Sequence, residues 1–274
     1  MDRCVSCEAP LSGTYCAQCG ERRPDRSHLT ISSFLHRTFE EIADFEHSKL
    51  IRSLRLLFFR PGYLTTEFLR GAVKPYLGPV KLYVMAFALS LFLYTVYRPA
   101  AIYDVRSSIT LAPRGSWHKQ IATIAHQRNT TEEQMIFEVN ARWQKYLYFS
   151  EIVYPLVLAT GLAALYLRRR RYYVEHLIFS LHILAFTYLM GVLFWPIYAI
   201  FGLGVSALFT IISAVILIVS LAYILVAVRR VYEQSWAVTA MKALAVCSLC
   251  CGQERRGNYL PHLSSLGDGT HFVA

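Results

Sequence analysis

The sequence predicts an all-α integral membrane protein, with four to five transmembrane helices preceded by a small cysteine-rich head and amphipathic helices. Three observations predict it. Hydrophobic residues make up 55% of the 274, above the roughly 45–50% usual for a soluble domain. They gather into runs close to the length of about 20 residues that crosses a hydrocarbon core. Ahead of the first run stand two Cys-x-x-Cys pairs, Cys4 with Cys7 and Cys16 with Cys19.

The head comes first in the chain. Two Cys-x-x-Cys knuckles brought together supply four thiolates in a tetrahedron, the arrangement a structural zinc ion prefers. Cys4, Cys7, Cys16 and Cys19 are therefore the expected ligands of one structural zinc ion, and residues 1–28 are read as a zinc ribbon with its linker. Four sulfurs leave no open position for a substrate water, so the metal shapes the head and does no chemistry. Pro10 and Gly13 lie in the turn between the knuckles and Gly20 follows the last cysteine, where glycine tolerates the positive φ of a tight turn. A head this small has too little core to fold unaided, and metal supplies the difference. The alternative is four free or oxidised thiols in a loose tail. Glu21 to His28 read as a polar linker.

Residues 29–79 are expected to form amphipathic helices at the cytoplasmic membrane face. Phe34, Leu35, Thr38, Phe39, Ile42 and Phe45 recur at helical spacing, with His36, Arg37, Glu40, Glu41 and Asp44 on the other face. A second helix sets Leu50, Ile51, Leu54, Leu57 and Phe58 on one side and Lys49, Arg52 and Arg55 mostly opposite. That pattern suits a helix lying in the membrane interface, and equally one packed on the spans. Arg60-Pro61-Gly62 ends it, because the residue before proline is pushed out of the helical region and glycine permits the turn. A short helix from Tyr63 to Arg70 then leads through Gly71, Lys74, Pro75 and Gly78-Pro79 toward the first span.

Residues 80–251 hold the expected bundle. Its spans are Leu82–Tyr97, Phe149–Leu167, Leu177–Phe201 and Leu203–Val228, with a shorter fifth from Trp236 to Cys251 that Lys242 interrupts. Arg168 to Arg171 form a block between the second and third spans, and Arg229 and Arg230 follow the fourth. Positive charge stays in the cytoplasm, so both sites face it, and counting back two spans places the N-terminus there as well. The loop 98–148 then faces the exterior, and its part from Thr130 to Tyr148 carries Met135, Ile136, Val139 and Trp143 at helical spacing. No signal peptide is expected, since Asp2, Cys4 and Cys7 occupy the place of an apolar segment. A reducing cytoplasm favours metal over disulfides. The net charge of +10 flanks the spans, which points to the lipid bilayer and its anionic headgroups as partners and not to nucleic acid. The polar tail 252–274 is unrelated to the rest.

The stretches Phe58-Phe59-Arg60-Pro61-Gly62 and Glu67-Phe68-Leu69-Arg70-Gly71, Tyr76 with Pro79, and the run Glu175 to His182 resemble a bacterial multi-spanning membrane-protein family of unknown function with an N-terminal zinc ribbon. The resemblance extends to about residue 240. It implies a bacterial inner-membrane protein with a cytoplasmic ribbon, and it supplies no activity or catalytic residue.

Ionisable groups inside spans are costly and are functional candidates by default. Glu175 and His182, seven apart, share a helix face, and His176 shares another with Ser180. A carboxylate near an imidazole can relay protons or hold a cation. The plainer reading pairs Glu175 with Arg171 at the interface and gives His182 a hydrogen bond to a neighbouring helix. No nucleophile elbow, zinc-protease helix, phosphate-binding loop or dinucleotide fingerprint is present. The expected function is a non-enzymatic anchor, sensor or scaffold whose ribbon engages a cytoplasmic protein partner. The alternatives are a small ion- or proton-linked transporter or channel and, third, a lipid-active enzyme using His176, His182 and Glu175.

Overall fold

A computed structural model describes residues 3–23, 30–42, 47–97, 116–167, 169, 171–200 and 207–242. The loop start at 98–115, Arg168 and Arg170, most of the expected fifth span and the tail 252–274 lie outside them. The described residues are mostly helical and form no strand. Two compact units divide the chain, Met1–Tyr97 with Pro155–Ser248 and Arg98–Tyr154 with Leu249–Ala274.

In the first unit the head is followed by α1 (Ile31–Ile42), α2 (His47–Phe59), α3 (Tyr63–Arg70) and α4 (Pro79–Tyr97). The N-cap of α1 is Thr30, whose Oγ1 accepts from the Ser33 N–H at 3.3 Å. Pro79 opens α4, where a missing N–H costs nothing. Gly62 and Gly71 bracket α3 with φ of 72° and 89°. The Gly71 N–H bonds Phe68 O at 3.0 Å and the Ala72 N–H bonds Glu67 O at 3.0 Å, closing the helix. Gly62 is also a close-approach site: a Cβ there would lie 2.8 Å from Ala227 O.

Two more helices belong to this unit, α7 (Tyr173–Ile200) and α8 (Ala207–Tyr232), and residues 236–242 are helical after them. α4 packs along α7, where the Tyr83 and Phe87 rings lie 5.8 and 5.6 Å from Tyr188. α3 sits against both α7 and α8. α2 does not lie free on its apolar face: Leu57 is buried, the Phe58 ring is 5.8 Å from Phe186, and Tyr223 Oη donates to Leu57 O at 2.6 Å. Of the two placements open to α2, the face bearing Leu57 and Phe58 is packed on the apolar helices.

α7 and α8 are long and apolar enough to cross a membrane, at Tyr173–Phe194 and Ala214–Tyr232. The apolar stretches Pro79–Leu93 in α4 and Phe149–Leu165 are shorter, so two of the expected spans have full length. In α7 that window is 56% buried, in α8 only 28%. α7 is thus the inner helix, while α8 leaves Ile211, Val215, Ile218 and Val219 exposed, an apolar surface that water-soluble proteins avoid.

The second unit holds α5 (Ser116–Gln127) and the first part of α6 (Glu132–Leu165). The sequence reading separated an outer helix at Thr130–Tyr148 from a span beginning at Phe149. The two are one helix, because no glycine or proline intervenes before Pro155. Its start is a reciprocal capping box: the Gln134 N–H bonds Thr131 Oγ1 and the Thr131 N–H bonds Gln134 Oε1, each at 3.3 Å. α5 was not anticipated; its Ala125 is buried, and the Ala125 carbonyl accepts from the Thr130 N–H at 3.0 Å in the turn that leads into α6.

Candidate functional site

Two knuckles build the head, and the second repeats the first twelve residues on. The Cys4 N–H bonds Ala9 O at 2.9 Å and the Glu8 N–H bonds Cys4 O at 3.0 Å. The Cys16 N–H bonds Glu21 O at 2.8 Å and the Gly20 N–H bonds Cys16 O at 2.9 Å. Isolated bridges flank both, Arg3 with Pro10 and Tyr15 with Arg22. The repeat brings four sulfurs together, all within 4.8 Å of one another, with Cys4 Sγ 3.5 Å from Cys19 Sγ and Cys7 Sγ 3.5 Å from Cys16 Sγ. A tetrahedron with metal–sulfur bonds near 2.3 Å has edges of about 3.8 Å, so this arrangement could hold a metal ion. Cys4 and Cys16 are buried, and Cys7 and Cys19 half-buried.

Without a metal, two of the thiols are pulled in opposite directions. The N–H groups of Cys19 and Gln18 bring Cys16 down to about 7, whereas burial pushes Cys19 up to about 12. A cation removes that conflict by holding all four as thiolates.

The repeat is imperfect at one informative place. Glu8, with φ 61°, stands where the second knuckle has Gly20, with φ 70°. A side chain in this left-handed region costs roughly 1–2 kcal/mol, offset in part by the greater freedom glycine has when unfolded. Glu8→Gly is expected to stabilise the head by about 0.5–1 kcal/mol. A chelator titration should then need more chelator to unfold it, and an unchanged or lower midpoint would show that the Glu8 side chain matters for more than its backbone.

Glu21, read from sequence as the start of a polar linker, is instead buried. Its Oε2 accepts from Ser6 Oγ at 2.7 Å, the Val73 N–H at 2.9 Å and the Lys74 N–H at 2.8 Å. The head is therefore fastened to the loop before α4.

The three candidate residues of α7 each hold a partner from elsewhere. Glu175 pairs with Arg171 (2.8 Å) and accepts from the Tyr172 N–H at 3.1 Å. His176 Nδ1 lies 2.7 Å from Tyr232 Oη, with the two rings stacked. His182 Nδ1 lies 2.9 Å from Thr65 Oγ1, and its ring is 5.6 Å from Phe68. Among the described residues no hydrogen bond joins any two of the three, and His182 Nε2 is buried without a partner. The sequence reading missed Thr65, Tyr232 and Glu21. Thr65 lies between two of the stretches that carry the family resemblance, and Tyr232 lies two residues past the Arg229-Arg230 pair, which are the signals that pointed near them.

Residues 47–91 match a family described as "Protein of unknown function (DUF3667)". No curated protein and no solved structure matches the chain. The DUF3667 match covers α2, α3 and most of α4, the elements that meet α7 and α8. Leu57, Gly62, Thr65 and Phe68 supply the contacts to Tyr223, Ala227 and His182 described above. The four cysteines lie outside it.

Thr65 tests how much the buried imidazole matters. Thr65→Val keeps the shape but leaves both ring nitrogens of His182 unpaired, which should cost about 1–3 kcal/mol. Thr65→Ser should retain most of the stability. Thermal unfolding of the three proteins in one detergent checks this, and equal midpoints would show that the contact carries no weight.

Proposed function

We propose that this chain is a multi-pass protein of the bacterial inner membrane, with a cytoplasmic head that holds one structural zinc ion. It acts as a non-enzymatic anchor, sensor or scaffold, and the head engages a cytoplasmic protein partner. The observation that carries this reading is the metal centre itself: its ligand group consists of four cysteines and nothing else, a set that suits zinc and closes its coordination. The two full-length apolar helices, one of them largely exposed, support residence in a bilayer. Leu82–Tyr97, Phe149–Leu167 and the segment from Trp236 complete the proposed four to five spans.

Contacts between the basic clusters support the orientation. Arg169 Nη1 donates to Tyr232 O at 2.9 Å and Arg171 Nη2 to Val231 O at 3.1 Å. The arginines that follow α6 thus meet the arginine-bearing end of α8, as spans ending on one side require. Positive charge retained inside makes that side the cytoplasm, and the same arginines favour anionic headgroups.

Two measurements test the reading. Detergent-purified protein should carry one zinc per chain, lost in a Cys4→Ser/Cys7→Ser control. Reporter fusions after Arg171 and Arg230 should be active in the cytoplasm, and fusions near Arg114 outside. A metal-free protein with four titratable thiols would sink the first half, and inverted reporters the second. The unpartnered Nε2 of His182 favours, as a second reading, an ion- or proton-linked path. Flux in reconstituted vesicles that disappears with His182→Ala would establish that path, and no flux under any ion or proton gradient would dismiss it.

A further inference from the structure

Glu21 is tied to both knuckles of the head and to the loop before α4 at once. Its main chain belongs to the second knuckle, since its carbonyl accepts the Cys16 N–H at 2.8 Å. Its side chain is held by the first knuckle, through Ser6 between Cys4 and Cys7. The same carboxylate oxygen reaches out of the head to the consecutive N–H groups of Val73 and Lys74. Two consecutive N–H groups converging on one acceptor form an anion-binding concavity, here filled by a carboxylate of the chain itself. The concavity heads a turn, closed by the Tyr76 N–H on Val73 O at 3.1 Å, that runs directly into α4.

The carboxylate can stand there only while both knuckles are in place, because one positions its backbone and the other its oxygen. Hydrophobic packing adds little to hold the knuckles. Among the described residues of the head, the buried hydrophobic side chains are Cys4 and Cys16 themselves.

We propose that the metal-loaded head is a latch, in which Glu21 transmits the occupancy of the four-cysteine centre to the loop Gly71–Pro79 and so to the start of α4. With metal bound, the two knuckles hold Glu21 in the loop and fix how α4 begins. When metal leaves, the knuckles separate, the carboxylate withdraws, and the Val73 and Lys74 N–H groups open to water. The loop has a second fastening that does not depend on the head, the Leu77 N–H on Ser53 Oγ of α2 at 2.8 Å. Loss of metal therefore frees the part of the loop nearest the head and leaves the part nearest α4 tied. This deepens the reading of the four cysteines as a metal site, on which it rests.

Amide hydrogen exchange of the full-length protein in lipid nanodiscs, resolved at Val73, Lys74 and Leu77, tests the latch. The comparison runs across metal-loaded protein, chelator-treated protein, and a metal-loaded Glu21→Gln variant whose zinc content is measured in parallel. Chelation should raise exchange at Val73 and Lys74 by roughly tenfold to a hundredfold, the scale of losing hydrogen bonds to a charged acceptor. Glu21→Gln should raise it in the same direction with zinc still bound. Leu77 should hold its protection in both. Should Glu21→Gln shed its metal, Ser6→Ala is the replacement, since it cuts the tie to the first knuckle and touches no sulfur ligand. Two metal-loaded amides that ignore chelation would overturn the latch alone, and so would a Leu77 that opens together with them. Wild-type protein that binds no metal would overturn the metal reading and the latch together.

Discussion

Replacing Cys16 with serine is expected to unfold the head, release the zinc ion proposed for it and leave α7 and α8 in the bilayer proposed for them. The expected effect is large because structural zinc supplies roughly 10–16 kcal/mol of apparent folding energy to small domains of this kind, and little else holds the head. A hydroxyl in place of the buried Cys16 sulfur removes one of the four candidate ligands, whose thiol is brought down to about 7 by the N–H groups of Cys19 and Gln18. Helices that cross a membrane, as proposed for α7 and α8, take their stability from lipid and from one another, so the membrane fraction should retain the full-length variant while zinc content falls to background. Acid should push the wild-type protein the same way. Each sulfur must lose its proton to bind metal, and the Cys19 thiol, pushed up to about 12, gives up its proton with difficulty. Metal loading is then complete at higher pH and is lost as pH falls, so the chelator midpoint should drop steadily from pH 8 to pH 5. A variant that leaves the membrane, or a midpoint that rises in acid, would break this account.

Gly62→Ala is expected to do the reverse, sparing the head and damaging the bundle. Two costs coincide at this residue. Its φ of 72° is one that L side chains rarely adopt, and the added Cβ would lie 2.8 Å from Ala227 O and 3.0 Å from Ala227 Cα. Both are main-chain atoms of α8, so no side chain can swing aside. The left-handed backbone costs roughly 1–2 kcal/mol and the overpacking about 1–3 more. The turn Arg60 to Gly62 should separate from α8, which also breaks the 2.7 Å bond from Arg230 Nη1 to Pro61 O. A large fall in thermal stability with zinc content intact is the expected result. A fall of less than about 1 kcal/mol would mean that α3 and α8 are looser than they look.

Much of this was legible in the sequence, and the limits follow from what a pattern can carry. Two Cys-x-x-Cys pairs brought four sulfurs together because the spacing encodes the knuckle turn itself. Arg60-Pro61-Gly62 marked a helix end because proline and glycine act on the backbone locally, and α2 does end at Phe59. Apolar runs revealed α7 and α8 because a long charge-free stretch has few other uses. Glu21 escaped notice because a single carboxylate beside a cysteine has no period, and its acceptors' donors, Val73 and Lys74, lie far along the chain. The helix-face argument for Glu175 and His182 was sound geometry for one helix. The plainer reading named Arg171 as the partner of Glu175 and a neighbouring helix as that of His182; only Thr65 itself, far back in the chain, went unnamed. The joined α6 was missed for another reason: its polarity changes near Phe149 while its backbone continues.

One arrangement also sets a timetable for making the protein. Leu57 finds Tyr223, and Pro61 finds Arg230, across 166 and 169 residues of chain. At ~5–20 residues per second, a ribosome takes on the order of 10–30 s to supply those partners after α2 and α3 have emerged. Until Tyr223 arrives Leu57 lacks that partner, and Phe58 waits for Phe186. An amphipathic helix carrying Lys49, Arg52 and Arg55 has somewhere to wait, the surface of the anionic leaflet beside the insertion site. The two placements that the α2 pattern allows then follow one another in time. On the proposed membrane reading, the helix rests on the bilayer while the chain is nascent and packs against α7 and α8 once they arrive.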